Sequence, residues 1–318
     1  MHAYGNDLWC WTDLEGKSTS ATDSTYPGAG GCGIIMGFDV ESKIAFKEIV
    51  VRNYCSPEPA HGGWGAQESL STPFAFVDGG SVAIGTSETI IASVSTSFTS
   101  GNNFVLAIVQ FQSTANTIIL HDKLMLTRGG TKLPYANNSF DLKLASTSPD
   151  NQKWHALMDL DTSPGSNPTY DVRATAGATG ISGEAKILVI NGASGTEAWT
   201  TYNTNVTITT SGTTIATLTT SLPAGDNIVF AICETAVSNT NNRWLTAESL
   251  KRGSSTLTGA EFPLYHATKA NYAYMHVNLI PYLDDGAPAN PTYTATATTS
   301  SGTNIRARAK IVAFTRGW

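Results

Sequence analysis

Short runs rich in apolar and β-branched residues recur along the chain, and in some of them, such as residues 170–176, apolar and polar residues alternate with a period of two. In the middle of the chain these runs cover residues 90–98, 103–112, 123–127, 170–176 and 184–190. Such alternation places one face of a β-strand in a core and the other face in solvent. Turn-forming segments such as Gly-Asn-Asn and Arg-Gly-Gly separate the runs. We therefore predict an all-β protein built from antiparallel β-sandwiches.

The same pattern occurs twice, at a shift of about 124 residues. Residues 91–98 and 101–108 return as 215–222 and 225–232, and the Asn-Pro-Thr-Tyr of 167–170 returns at 290–293. A repeat of this length corresponds to one domain of roughly 100–200 residues. We predict tandem sandwich repeats at 81–192 and 193–318, preceded by a partial β module and linker at 1–80. Long connections in both copies favour a jelly-roll-like fold over a simple meander.

The N-terminal residues resemble only part of a third copy. Residues 7–14 and 32–38 parallel 155–161 and 186–190 of the first repeat. An incomplete sandwich exposes unpaired strand edges. We expect it to be completed by residues 39–80, by a strand from a neighbouring subunit or by sequence outside this chain. The first residues lack the pattern of a secretory signal, which leaves open both synthesis without export and a processed chain in which Met1 is not the native start.

Charge and hydropathy exclude two classes of partner. Only 14% of the residues are charged, against roughly 25% in average globular proteins, and the net charge is −6. No basic cluster suited to nucleic acid occurs. The densest basic stretch, residues 306–310, alternates, so we expect Arg306, Arg308 and Lys310 on the solvent face of one strand. No apolar run approaches the ~18 residues that suggest a membrane-spanning helix, so we expect no membrane insertion.

Few residues suit catalysis. The six histidines form no HExxH pair, and neither a G-x-S-x-G turn nor a phosphate-binding glycine loop occurs. We therefore predict that the protein is not an enzyme. Cys233 lies in an apolar run and is expected to be an inert core thiol. For Cys10, Cys32 and Cys55 the sequence leaves both free thiols and a Cys10–Cys32 disulfide open.

Paired carboxylates occur at corresponding places in the two copies, namely Asp159 and Asp161 in the first and Asp284 and Asp285 in the second. Together with loop carbonyl groups they are candidate Ca²⁺ ligands. The alternative is that Asp161 and Asp284 cap the loops that follow them. Their recurrence favours loop caps, because a catalytic pair is not normally duplicated in each structural unit. No other cofactor is predicted.

Four tryptophans are candidates for an interface or for stacking on sugars. Trp9 and Trp11 lie on one face of a predicted strand. Trp64 lies in a His-Gly-Gly-Trp-Gly loop, and Trp318 ends the chain. Core packing is the alternative for each of them.

A motif shared by both copies carries a resemblance. A Leu-Asp pair leads through a Pro/Gly-containing turn to Thr-Tyr, at residues 160–174 and again at 283–295. This pattern resembles jelly-roll modules of tailed-phage capsid decoration proteins and tail-fibre heads. The resemblance implies a trimeric or capsid-bound assembly in a virion, with copies of the chain and capsid proteins as partners. The absence of a shaft favours a decoration role over a whole tail fibre.

The leading hypothesis is a non-enzymatic virion structural protein, either a capsid decoration (cement) protein or a receptor-facing head module. A first alternative is a subunit of a cellular surface filament or surface layer assembled by strand exchange. A second is a secreted, extracellular carbohydrate-binding module whose partner is a surface glycan.

Overall fold

The computed structural model describes residues 2–4, 7–13, 33–39, 74–114, 116–119, 123–137, 142–144, 152–199, 206–237, 243–268, 276–299 and 305–315. Every regular element in these ranges is a β-strand, and all strand pairings are antiparallel. The predicted all-β class is therefore confirmed. Within these ranges there is no helix with the length and hydropathy needed to cross a membrane.

The N-terminal sheet does not reproduce half of a repeat. It has three strands in the order β1-β2-β3, which are β1 (His2–Tyr4), β2 (Asp7–Asp13) and β3 (Gly33–Asp39). β2 and β3 pair directly and antiparallel. The strands that they resemble in the first repeat are not neighbours, because a third strand lies between them (see below). The sequence likeness therefore does not carry over to the pairing. Of the segment expected to complete this module, residues 40–73 lie outside the described residues.

The first repeat forms two sheets. Its strands are β4 (Phe74–Asp78), β5 (Val82–Ile84), β6 (Thr89–Ser95), β7 (Asn103–Ser113), β8 (Thr117–Ile119), β9 (Met125–Arg128), β10 (Thr131–Asn137), β11 (Leu142–Leu144), β12 (Gln152–Asp161), β13 (Thr169–Ala174) and β14 (Ile181–Asn191). Inner sheet 1 has the order β12-β7-β14-β4, and β5 continues the pairing with β14. Outer sheet 1 has the order β10-β9-β13-β6, while β8 and β11 form a small separate pair. Because β4 belongs to inner sheet 1, this sheet begins before residue 81.

The second repeat has the same arrangement. Its strands are β15 (Ser194–Trp199), β16 (Val206–Thr207), β17 (Thr213–Thr219), β18 (Gly225–Val237), β19 (Arg243–Arg252), β20 (Ser255–Thr268), β21 (His276–Ala287), β22 (Thr292–Thr299) and β23 (Ile305–Thr315). Inner sheet 2 has the order β15-β23-β18-β21, with β16 also paired to β23. Outer sheet 2 has the order β17-β22-β19-β20.

The strand order identifies each repeat as a jelly roll. If β4 and β5 count as one interrupted strand, the eight principal strands of the first repeat pair first with eighth (β4–β14), second with seventh (β6–β13), third with sixth (β7–β12) and fourth with fifth (β9–β10). The second repeat pairs β15–β23, β17–β22, β18–β21 and β19–β20 in the same way. This is the pattern of a long hairpin rolled into two facing sheets.

The repeated Asn-Pro-Thr-Tyr motif forms the same turn in both copies. Asn167 and Asn290 take positive φ angles of 49° and 53°, a left-handed conformation that asparagine tolerates better than most residues. Their backbone N–H groups donate to the carbonyl oxygens of Phe98 and Leu222 at 2.6 and 2.8 Å. The turn thereby starts the seventh principal strand and directs the tyrosine into the sandwich.

The two inner sheets pack against each other, so the repeats share one continuous core. At its centre the ring of Phe104 stacks on that of Phe230 with centroids 4.8 Å apart, and Phe314 lies 5.0 Å from Phe104. All three rings are at most 1% exposed. Burial of each phenyl side chain contributes about 1.5–3 kcal/mol, and the aromatic contacts add to it. The two jelly rolls therefore form one block, with the outer sheets facing away from each other.

One prediction about the basic stretch is wrong. Arg308 and Lys310 are 4% and 8% exposed and do not face solvent, although Arg306 is exposed. On β23 they follow the same alternation as Val312 and Phe314, which belong to the core shared with the first repeat. The alternation in the sequence was real, but packing of a second jelly roll covers the face on which these cations lie.

Lys310 meets buried acceptors from the first repeat. Its Nζ donates to the carbonyl oxygen of Met158 at 2.7 Å and to Asp159 at 3.2 Å, and it lies 3.0 Å from Glu197. Glu197 Oε2 in turn accepts from the backbone N–H of Leu160 at 3.1 Å. Met158 and Leu160 belong to β12, the edge strand of inner sheet 1. The ion pair thus satisfies backbone groups that a free edge would expose for pairing with another chain.

Candidate functional site

The carboxylates that the sequence singled out lie in buried polar clusters. In the first repeat, Asp161 Oδ2 accepts from the Tyr170 hydroxyl at 2.8 Å, and Asn103 Nδ2 donates to the same hydroxyl at 2.8 Å. Arg128 Nη1 lies 2.6 Å from Asp161 Oδ1. The backbone N–H of Ser163 also donates to Asp161 at 3.3 Å, which is the geometry of a loop cap. Both oxygens of Asp161 are therefore engaged within the fold.

The second repeat contains the same four residue types in the same contacts. The Tyr293 hydroxyl donates to Asp284 at 2.7 Å and accepts from Asn227 at 3.1 Å, while Arg252 lies 2.5 Å from Asp284. Burial, together with the neighbouring carboxylate, raises the pKa of both tyrosines well above the usual value. We call each set an Asn-Tyr-Asp-Arg quartet. The quartet recurs in both copies, which indicates a structural role. In each copy the tyrosine–aspartate hydrogen bond joins the end of the sixth principal strand to the seventh.

Removing one hydroxyl from a quartet should therefore destabilise the fold. We expect Tyr170→Phe and Tyr293→Phe each to lower the free energy of unfolding by about 1–3 kcal/mol, because a buried amide and a buried carboxylate lose a partner. Chemical denaturation measures the effect. A matched control is Thr217→Ala on the exposed face of β17, which should cost less than about 0.5 kcal/mol. Equal losses in all three variants would contradict the structural role of the quartets.

The other two acidic residues lie in different surroundings. Asp159 is 2% exposed and contacts Lys310, whereas Asp285 is exposed. Among the described residues, no group of three or more His, Cys, Asp or Glu side chains is arranged to hold a metal ion. Binding of Ca²⁺ by Asp159, Asp161, Asp284 and Asp285 stays a prediction.

The tryptophans and most cysteines fall where little is described. Trp9 and Trp11 lie on β2, paired with Gly37 and Ile35. Trp64 and Trp318 lie outside the described residues, as do Cys32 and Cys55, so the interface role and the disulfide stay predictions. Cys233 is fully buried, and burial, with Glu248 and Glu234 nearby, raises the pKa of its thiol well above the usual value. A thiol that resists ionisation fits the expected inert core cysteine.

A groove that the sequence did not indicate opens on outer sheet 2. It encloses about 250 Å³. We call it the hydroxyl groove, and it is lined by Ser211, Gly212, Thr213, Thr214, Ser249, Lys251, Thr256, Thr296, Ala297 and Thr298. Within it the hydroxyls of Ser249 and Thr296 are 2.8 Å apart and bonded to each other. Near the turn at Ser211, the N–H of Thr209 donates to the Thr213 hydroxyl at 2.9 Å, which fixes that side of the groove.

The first repeat fills the corresponding space with an ion triad. Arg173 lies 2.7 Å from Glu88 and 2.9 Å from Asp171, and these hydrogen bonds raise the pKa of its guanidinium. Strand pairing makes Arg173 equivalent to Thr296, and Asp171 equivalent to Thr294. Glu88 precedes β6 as Gly212 precedes β17. All three members of the triad are thus small and uncharged in the second repeat. Comparing the two copies position by position would have revealed this difference from the sequence.

Comparison with known proteins does not assign the chain to a family. No family model matches it, and no curated protein matches it. Solved structures with similar elements include a chain of the Sulfolobus Turreted Icosahedral Virus, at 14% identity and a TM-score of 0.22, which covers 73% of this chain and 60% of that one. An archaeal virus protein described by its triple jelly-roll fold and turret assembly gives 13% identity and a TM-score of 0.23, over 73% of this chain and 59% of that one.

A third similar structure is the N-terminal CBM22-1–CBM22-2 tandem of Paenibacillus barcinonensis Xyn10C. It gives 11% identity and a TM-score of 0.21, over 76% of this chain and 93% of that one. The chain spans about 60% of the length of the two viral chains. Such low scores add nothing to the strand order, which by itself identifies the two jelly rolls.

Proposed function

We propose that the chain is a non-enzymatic structural protein of a virion, either a capsid decoration protein or a receptor-facing head module. The observation that carries this proposal is the packing of the two inner sheets through Phe104, Phe230 and Phe314. It joins two jelly rolls into one block with a shared core, and the two outer sheets on opposite sides of this block could contact different neighbours. A block of this kind suits a part that bridges subunits of a shell.

The use of the buried charged groups supports a role without catalysis. Asp161 and Asp284 are held by tyrosine hydroxyls and arginines, and Asp159 and Glu197 by Lys310. A general acid or base must reach a substrate. Asp159, Asp161 and Asp284 are buried among these partners, and the side chain of Glu197 is only 14% exposed. Function would then consist of binding, with copies of the chain and capsid proteins as partners.

The exposed faces supply a surface for such binding. Strands β17 and β22 present a row of threonines, including Thr217, Thr219, Thr292 and Thr294, on the outward face of outer sheet 2. Hydroxyl-rich faces remain soluble when free and form hydrogen bonds in an interface. Assembly in a virion would place one or both outer sheets against neighbouring subunits.

Binding to capsids tests the proposal. We expect the purified chain to cosediment saturably with capsids assembled from the major shell protein that is encoded with it. Thr217→Arg on outer sheet 2 and Ser93→Arg, at the equivalent position of outer sheet 1, place a large charge on each outer face in turn. At least one of them should weaken binding tenfold or more, since unpaired charge at an interface is costly. Absence of saturable binding by the unmodified chain would contradict the proposal.

A further inference from the structure

The hydroxyl groove and the ion triad occupy equivalent positions on the outer sheets of the two repeats. The residues that differ at these positions therefore indicate what the groove could bind. In the first repeat these positions are occupied by the paired side chains of Glu88, Asp171 and Arg173. Of the triad, only Asp171 is buried, whereas the side chains of Arg173 and Glu88 are 20% and 44% exposed. In the second repeat all three positions have small uncharged residues, namely Gly212, which precedes β17, and Thr294 and Thr296 on β22. The combined difference leaves an open groove in which the hydroxyls of Ser249 and Thr296 bond to each other.

The charged groups at these positions also differ between the repeats. The first repeat has the two carboxylates and the guanidinium of the triad, and a further cation, Lys132, at the position equivalent to Thr256. The described lining of the hydroxyl groove contains one charged side chain, Lys251, and no carboxylate. Lys251 stands where the first repeat has Thr127, because both pair with the positions just compared. Within the described part of the chain Lys251 forms no ion pair. Lys251 is partly exposed and lines the groove, so its ammonium group is available to an anion that enters.

The lining determines which anion fits. Serine and threonine hydroxyls both donate and accept hydrogen bonds, and they line most of the groove. A ligand that uses them must itself carry several donors and acceptors, as a sugar does. The volume of about 250 Å³ lies below the ~300–1,000 Å³ of pockets for drug-sized ligands, which limits the ligand to about one sugar ring. No aromatic residue is among the described lining residues, so a sugar ring cannot stack on this lining. Binding affinity must then come from hydrogen bonds and from the charge of Lys251.

We propose that the hydroxyl groove binds a single anionic sugar residue, such as a carboxylated or sulfated sugar of a surface polysaccharide. Lys251 binds the acidic group, and the hydroxyls of Ser249 and Thr296 bind the ring hydroxyls. The proposal concerns a site distinct from the tryptophans that the sequence marked for sugar stacking. It does not depend on the virion assignment, because either one can fail while the other holds.

Titration by nuclear magnetic resonance tests the site directly. The probes are methyl glucuronide, a sulfated heparin disaccharide and neutral methyl glucoside, added to the uniformly ¹⁵N-labelled full chain. We expect at least one anionic probe to shift the amide signals of Gly212, Lys251 and Thr296 saturably in the millimolar range. The neutral glucoside should bind at least tenfold more weakly. Shifts of equal size and affinity for neutral and anionic probes, or no shifts at these residues with any probe, would overturn the proposal.

Two variants test separately whether binding needs the charge of Lys251 and whether it needs the open volume of the groove. Lys251→Gln should weaken binding of the anionic probe about tenfold or more, as expected for loss of a charge-assisted hydrogen bond. Thr294→Asp combined with Thr296→Arg installs the Asp–Arg pair of the first repeat and should abolish binding. Lys123→Gln removes the same charge from an exposed position of the first repeat and should leave affinity unchanged. If the double variant does not fold, the comparison of Lys251→Gln with Lys123→Gln decides, and equal affinities would overturn the proposal.

Discussion

Truncating Phe230 to alanine is expected to lower the free energy of unfolding by about 4 kcal/mol, near the middle of the ~3–5 kcal/mol range for buried phenylalanine. Phe230 stacks on Phe104 of the other repeat and is 1% exposed. Its removal leaves a cavity between the inner sheets. Because the two repeats share this core, we also expect the unmodified chain to unfold in a single transition, measured by calorimetry and by denaturant titration.

A double-mutant cycle with Phe104→Ala isolates the contact between the repeats. We expect the two losses to be non-additive by about 0.5–1.5 kcal/mol, the range of aromatic pairs. Phe111→Ala serves as a control, because Phe111 is equally buried but faces the interior of the first sandwich, near Ile84 and Ile91. Its effect should add to that of Phe230→Ala. Two separate unfolding transitions, of which Phe230→Ala shifts only one, would contradict a shared core.

Replacing Glu248 by glutamine is expected to raise the free energy of unfolding by about 3 kcal/mol at pH 7. Glu248 is 0% exposed in the second sandwich, and burial raises the pKa of its carboxyl from 4.5 to about 8, although a hydrogen bond from Asn278 at 2.5 Å opposes the shift. Its Oε1 has no hydrogen-bond partner among the described residues. The first repeat has Leu124 at the equivalent position, also 0% exposed.

The effect should depend on pH with a definite sign. Below pH 4.5 the carboxyl is protonated in both states and costs nothing through ionisation. Between pH 4.5 and about 8 the unfolded chain ionises while the folded chain keeps the proton, so stability falls by about 1.4 kcal/mol per pH unit. The gain from Glu248→Gln should grow from near zero at pH 4 to about 3 kcal/mol at pH 7. Glu88→Gln, a partly exposed control, should change stability by less than about 1 kcal/mol. A gain independent of pH would contradict this account of Glu248.

The periodic and repeated parts of the fold could be predicted from sequence. Runs of apolar and β-branched residues between turn-forming segments predicted the strands β6, β7, β9, β13 and β14 to within a few residues, because each strand has at least one face in a core. The repeat of the Leu-Asp and Asn-Pro-Thr-Tyr segments placed Asp161 and Asp284 in equivalent positions. The structure shows why these positions recur, since each aspartate belongs to a quartet that holds two strands together.

Features that depend on contacts between the repeats could not be predicted in this way. Arg308 and Lys310 follow the pattern of a solvent face, and only the packing of inner sheet 1 on inner sheet 2 buries them. Alternation along one strand does not say whether a second domain covers its polar face. Glu248 was missed for a related reason, because a single carboxylate in a strand is usually exposed. The hydroxyl groove gives no signal in the similarity between the repeats, because it lies at positions where the two repeats differ.

The proposed virion role requires that the two fused jelly rolls form a discrete building block. Light scattering of the purified chain, combined with negative-stain imaging, tests it most directly. We expect discrete particles with the mass of a monomer or a trimer. Open-ended filaments would contradict this role and would indicate assembly by strand exchange through the N-terminal module.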